Sequence, residues 1–408
     1  MNNATKLLNK NFILFVMGWE FSMIGDAMLR FALPLYIFLQ TGNAVLLGSM
    51  LTISSIPVIL LTPLGGVLAD RYSKRKLMVT INLMMAGIGV LYAVTSDGFD
   101  LVFITTTLTL VLFTLTAVST PSAEASVPLL VPEGELVKAN SVTFLLTIFS
   151  SVGAPIVAGN LLERYGLTPI LWISIGMFIL ASFVKSMVKL PYEAPEKKTK
   201  LSKVIVSDLK EGIRFATKEK PQLGKVILIT SLASVTIAPI MSVGLSVLVT
   251  HYFARGEGTL GIAQGLVVFG GTFGIVLIGI LGKKATVALM RPLIFILGFS
   301  LIPAGVALVQ LGNQNTAFVI TLATFFLTLA LMTVLAVVSW AYLGEATPEA
   351  LLGKVMALNA TVLAIGVAVG NSLYGYLFDH FTDSPGVALF VLAGLTLVIG
   401  AGANVERS

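Results

Sequence analysis

Long apolar runs alternate with short polar breaks along almost the whole chain. Each run has roughly the 20 residues that a helix needs to cross a bilayer core. Hydrophobicity within the runs is continuous rather than alternating, so the pattern predicts helices and not a membrane β-barrel. The first half contains six predicted spans, roughly Asn11 to Leu39, Ala44 to Ala69, Leu77 to Thr95, Leu101 to Ala123, Ala139 to Leu162 and Leu167 to Val188. The second half contains six more, roughly Leu223 to Tyr252, Leu260 to Leu281, Pro292 to Leu311, Thr316 to Leu343, Val355 to Phe378 and Val387 to Ala403. Between the halves lies a charged segment with Pro191, Pro195 and Pro221. Its apolar residues Val204, Ile205, Leu209, Ile213 and Phe215 predict a short amphipathic helix along the membrane surface. The expected organisation is a helical bundle over residues 1–190, a linker over 191–222 and a second bundle over 223–408.

The basic residues orient the spans. Arg71, Lys74, Arg75 and Lys76 cluster between the second and third runs, which places that loop on the cytoplasmic side. Of 26 Lys and Arg, Arg164 and Arg255 fall in outside loops and Arg30 within the first span; the other 23 fall on the cytoplasmic side. Six plus six spans then put both termini in the cytoplasm, with the chain as a multi-pass protein of the cytoplasmic (inner) membrane. The first run lacks a small-residue cleavage site and is expected to remain as a span.

An internal repeat divides the chain. Pro132-Glu133-x-x-Leu136-x-Lys138 recurs 216 residues later as Pro348-Glu349-x-x-Leu352-x-Lys354. The same offset carries Gly66 onto Gly282, Arg75 onto Arg291 and Gly159 onto Gly375. The expectation is an all-α membrane protein of twelve transmembrane helices in two six-helix, pseudo-symmetric halves.

Composition narrows the function. The 408 residues are 56% hydrophobic and 11% charged, as a helical membrane protein requires. The net charge of +6 follows from the basic cytoplasmic loops and does not point to nucleic acid. No cysteine is present, which removes thiol chemistry. His251 and His380 stand apart, with no ligand cluster of metal spacing, so no metal and no cofactor is expected. There is no nucleotide-binding glycine loop and no nucleophile with its base, so the chain does not read as an enzyme. A receptor would need a sizeable extramembrane domain, and the linker is the largest polar segment.

Charges inside spans are costly, about 2.5–3.5 kcal/mol at a helix centre on insertion scales, and therefore mark partners or cavities. Glu20, Asp26 and Arg30 occupy the first span. Asp26 and Arg30 are four apart on one helix face and can pair. They are read either as a local ion pair that makes the helix insertable or as a site for protons and substrate. Glu20 and Glu124 are further candidates for the coupling cavity, and Lys185 is expected to snorkel toward the end of the sixth span. The hydroxyls of the fourth span, from Thr105 to Thr120, either line a cavity or bond to their own helix. The second half carries few polar residues within its spans: Gln264, Asn359, Asn371 and Trp340. So apolar a half suits bulky hydrophobic or amphipathic substrates.

Several stretches resemble known families. Gly66, Leu68, Ala69, Asp70, Arg71, Lys74 and Arg75 match the loop between helices 2 and 3 of the major facilitator superfamily, with Ser73 in place of a glycine. Gly153-Ala154-Pro155-x-x-Ala158-Gly159 resembles the superfamily's antiporter motif, with alanine at two glycine positions. Gly25-Asp26 with Phe31-Ala32-Leu33-Pro34-Leu35, Thr120-Pro121, Pro128 to Glu133 and Leu352-Gly353-Lys354-Val355 resemble macrolide-efflux (Mef-type) proteins and the enterobactin-exporter group. The resemblance implies proton-driven export of a bulky hydrophobic or amphipathic small molecule by a monomer surrounded by membrane lipid. It also implies a cytoplasmic gate at Gly66, Asp70, Arg71, Lys74 and Arg75. The fourth span lacks the arginine common in superfamily antiporters, which shifts the expected coupling onto the first span. Ser22-x-x-Gly25-Asp26 and Leu136-Val-Lys138-Ala-Asn140 are also similar to lysophospholipid transporters, which makes an amphipathic-lipid flippase the alternative.

Overall fold

The computed structural model describes residues 9–132, 134–191 and 209–403; the side chains of 62–67, 69, 70, 97 and 283 lie outside that description. Among the described residues no strand is present, and twelve helices are long and apolar enough to span a membrane. They are α1 (Lys10–Thr41), α2 (Ala44–Arg71), α3 (Lys74–Thr95), α4 (Leu101–Glu124), α5 (Leu136–Tyr165) and α6 (Leu167–Ser186). After the linker come α7 (Pro221–Tyr252), α8 (Glu257–Leu281), α9 (Val287–Gln310), α10 (Gln314–Ala346), α11 (Glu349–His380) and α12 (Pro385–Gly402). Large apolar side chains such as Leu60, Val94, Phe103, Ile280 and Val398 are exposed on the outer faces, as a lipid-solvated surface requires.

The helix ends explain where the predicted boundaries shift. Lys74, Arg75 and Lys76 form the first turn of α3 instead of a free loop, because the Ser73 side chain accepts from the Lys76 backbone N–H and starts the helix there. Asp100 does the same for α4 by accepting from Phe103 N at 2.8 Å. The α4 threonines mostly bond to their own helix: Thr109, Thr114 and Thr120 donate to the carbonyls four residues back at 2.7–3.0 Å.

The chain folds into two compact units. The first comprises the described parts of Met1–Thr41, Ser54–Leu201 and Glu257–Gly261. In it α1 packs mainly on α6 and α5, and α3 on α6 and α4. Two glycines a heptad apart let α1 approach α6 closely. A Cβ on Gly18 would meet Lys185 Cγ at 2.7 Å, and one on Gly25 would meet Met177, Phe178 and the Ser174 carbonyl at 3.2 Å. The start of α8 belongs to this unit and lies on α5. A Cβ on Gly159 would collide with the Glu257 carbonyl, and one on Gly261 with the Pro155 carbonyl. Glu163 accepts from the Gly258 backbone N–H at 2.8 Å and so caps α8 from a neighbouring helix.

The second unit comprises the described parts of Gly42–Ile53, Ser202–Gly256 and Ile262–Ser408. Here α7 packs on α11, and α12 on α9. Ordinary α-helix in α7 stops at Ile237, before Pro239, and continues as wider turns at Ile240–Gly244 and Leu248–Tyr252. Gln264 donates to the Met241 carbonyl at 2.9 Å, and Ser242 donates to Asn371 at 2.7 Å, which satisfies polar groups at this irregularity. Gln264 and Asn371, read from the sequence as polar exceptions, therefore support α7. Tyr374 is fully buried and donates to the Thr236 carbonyl at 2.5 Å. Residues 209–214 are helical and lead into a wide turn at Phe215–Glu219. Lys354 at the start of α11 pairs with Glu211 in this segment at 2.6 Å. Glu211 is 52% exposed, so Glu211→Gln is expected to lower stability by no more than about 1 kcal/mol, read as a small shift in thermal unfolding.

Candidate functional site

The polar centre of the first unit begins on α1. Residues Trp19, Ser22, Met23 and Asp26 follow the three- and four-residue spacing of one helix face. That face borders a small, half-open pocket of about 30 Å³, lined also by Thr116 and Ser119 of α4, Met85 of α3 and Lys185 of α6. Asp26 is buried. Arg30, one turn later, donates from Nε to Asp26 Oδ2 at 2.6 Å. Its guanidinium also lies 3.8 Å from the centroid of the Phe113 ring, which holds the cation in place from its other face. Thr116 Oγ1 stands 3.0 Å from Asp26 Oδ1 and 3.0 Å from its own helix carbonyl at Leu112. The hydroxyl has one proton, so it can donate to an ionised Asp26 or to Leu112, but not fully to both.

The other charges predicted from the sequence are placed differently. Glu20 lies to one side of the cavity-facing stripe and turns to α5, where Ser150 donates to its Oε1. Its Oε2 is buried without a hydrogen-bond partner, as is Trp19 Nε1. Glu124 is the last residue of α4 and is exposed. Lys185 departs most from expectation. Its side chain does not snorkel out of α6 but is buried at 3% exposure, with its stem against Gly18. The sequence signal that could have revealed this was Gly18 itself, the small residue that makes room for the stem.

Of the gate residues, Gly66 and Asp70 fall outside the described side chains. Arg71 ends α2, Lys74 opens α3, and Arg75 Nη1 donates to the Val188 carbonyl just after α6 at 3.5 Å. The antiporter-like residues divide. Pro155 and Gly159 sit at the close crossing with the start of α8, whereas nothing lies within 4 Å of a Cβ built on Gly153. In the second unit Asn359 is buried with Oδ1 unpartnered, and Trp340 is exposed. Among the described residues no group of His, Asp or Glu could hold a metal ion.

A family model described as Major Facilitator Superfamily matches residues 20–371. The chain is 25% identical to macrolide efflux protein A of Streptococcus pyogenes over 384 residues, covering 94% of this chain and 92% of the other. It is 24% identical to the enterobactin exporter EntS of Shigella boydii over 393 residues, covering 93% and 89%. Among solved structures, a bacterial homologue of the iron transporter ferroportin in an inward-facing state superposes with a TM-score of 0.72 at 16% identity, over 96% of this chain and 99% of that one. A nucleoside transporter superposes with a TM-score of 0.77 at 12% identity, over 96% and 98%. At such identities these two structural likenesses establish the fold.

Proposed function

The chain belongs to the major facilitator superfamily, and from that premise we propose that it exports bulky hydrophobic or amphipathic compounds by proton antiport and alternating access. Membership makes it a multi-pass membrane transporter rather than an enzyme. The direction of transport follows its efflux-related relatives. The coupling ion and substrate class are the proposal, with the bacterial cytoplasmic membrane as its location and both termini in the cytoplasm.

The observation that carries the reading is Asp26, a buried carboxylate at the edge of a polar cavity and held by two unlike partners. When Asp26 is ionised, Arg30 neutralises it and Thr116 can donate to it. When Asp26 takes a proton, the carboxylic acid can donate to the Thr116 oxygen while Thr116 donates to Leu112. Arg30 then loses its counter-charge but keeps the Phe113 face. The site thus accommodates both protonation states without moving a helix. Binding of substrate in the adjoining cavity is sensitive to which state is present, because the local charge changes by one unit. That sensitivity is what antiport needs.

The turn between α2 and α3 serves in this reading as the cytoplasmic latch. Arg75 already reaches a backbone carbonyl beyond α6, which ties the latch to a helix that lines the cavity.

The test is flux in proteoliposomes under an imposed pH gradient, with a labelled macrolide and a fluorescent lysophospholipid measured side by side. Macrolide movement that follows the gradient is the expected result. Lysophospholipid movement that ignores the gradient, with no macrolide movement, would replace the export reading with that of a lipid flippase.

A further inference from the structure

The charges around the cavity are not evenly matched. Asp26 is engaged by Arg30 and Thr116. Lys185 borders the same cavity, is buried, and among the described residues its Nζ makes no hydrogen bond and no ion pair. The other described carboxylates of α1 and α4 do not answer it. Glu20 is directed to Ser150 on α5, and Glu124 lies exposed at the end of α4. A buried ammonium without a counter-charge is an unfavourable arrangement, and an anion entering the cavity relieves it.

Other features of the wall fit an acidic headgroup. Ser119 supplies a hydroxyl with no other hydrogen bond among the described residues, and Trp19 an indole N–H without a partner, whereas Ser22 and Thr120 already donate to Asn82 and to the Thr116 carbonyl. A free hydroxyl and an indole N–H can both donate to anionic oxygens. Met23 and Met85 add flexible apolar surface at the wall of the pocket. Gly18 is what holds the arrangement together, since a larger residue there would displace the Lys185 stem.

We propose that the Lys185 ammonium binds an acidic group of the transported compound, so that the preferred substrates are amphiphiles with an anionic headgroup. The inference names the substrate class of the transporter proposed above and rests on that reading. Recognition is a single charge-assisted contact to a carboxylate or similar anion, supported by the Ser119 hydroxyl.

The experiment measures binding of 11-(dansylamino)undecanoic acid and of its methyl ester to the full-length protein in nanodiscs, with empty nanodiscs subtracted. The expected result is that the acid binds at least tenfold tighter than the ester. In Lys185→Met the acid-to-ester ratio falls to near one, and in Lys185→Arg it is largely restored. Equal affinity for acid and ester in the unaltered protein overturns the proposal, and needs no variant to do so. A ratio that survives Lys185→Met overturns it as well. No gradient is applied, so the measurement is independent of the flux assay. A protein that keeps the acid preference but shows no gradient-driven flux fails the export reading alone. One that transports under a gradient but does not distinguish acid from ester fails this inference alone.

Discussion

Asp26→Asn is expected to reduce pH-gradient-driven export to the rate of protein-free vesicles while leaving a folded protein. The side chain keeps its size and can still accept from Arg30, so the helix packing of α1 on α6 and α5 is retained. What it loses is the ability to exist in two protonation states. Breaking a fully buried ion pair costs about 3–5 kcal/mol. Arg30 is 30% exposed and also rests on Phe113, so the expected cost is lower, about 1–2 kcal/mol. Thermal unfolding of the purified variant separates the two effects: a modest shift with abolished flux supports a coupling role. Gradient-dependent flux that persists in Asp26→Asn would return the carboxylate to a structural partner of Arg30. Thr116→Val gives an intermediate test, since it removes the acceptor for protonated Asp26 but preserves shape. Flux that falls several-fold without loss of the Arg30 pair is the expected outcome.

The antiporter-like stretch of α5 is expected to split sharply under substitution. Gly159→Ala places a methyl group against the Glu257 backbone carbonyl, where no flexible side chain can yield. Overpacking of this kind costs about 1–3 kcal/mol and forces the helices apart. The Glu163 cap on Gly258 lies one turn away and would be strained with it. Transport is expected to fall at least tenfold, together with a clear drop in thermal stability. Gly153→Ala, six residues earlier, meets nothing within 4 Å. It is expected to be neutral or slightly stabilising, by about 0.5–1 kcal/mol from helix propensity. Equal damage from both substitutions would show that the stretch acts through something other than this crossing.

The contrast between Gly153 and Gly159 shows why a motif is readable while its working parts are not. Both residues match the same pattern in the sequence. Their difference depends on Glu257, a residue about a hundred positions away, and on the face that α5 turns toward it. The same holds for the acidic residues of α1. Glu20 and Asp26 look equivalent as charges within one span, yet one turns toward Ser150 and the other borders the cavity. Lys185 lies one residue from the end of α6, which favours snorkelling by position. Gly18 on another helix reversed that outcome by opening a slot for the stem.

The sequence by itself determined the features that follow from local physics. Twelve apolar runs of membrane-crossing length could only become helices, because a backbone in lipid must satisfy its own hydrogen bonds. The pairing of Asp26 with Arg30 was equally legible, since residues four apart on a helix share a face. The resemblance of whole stretches to the superfamily likewise survived comparison across residues 20–371. Tertiary structure alone decided which faces meet. A span that is apolar on every side carries no stripe to announce its inner surface, and small residues on distant helices choose the crossing. Thr116 joined Asp26, and Lys185 joined the cavity, through those crossings rather than through any spacing in the chain.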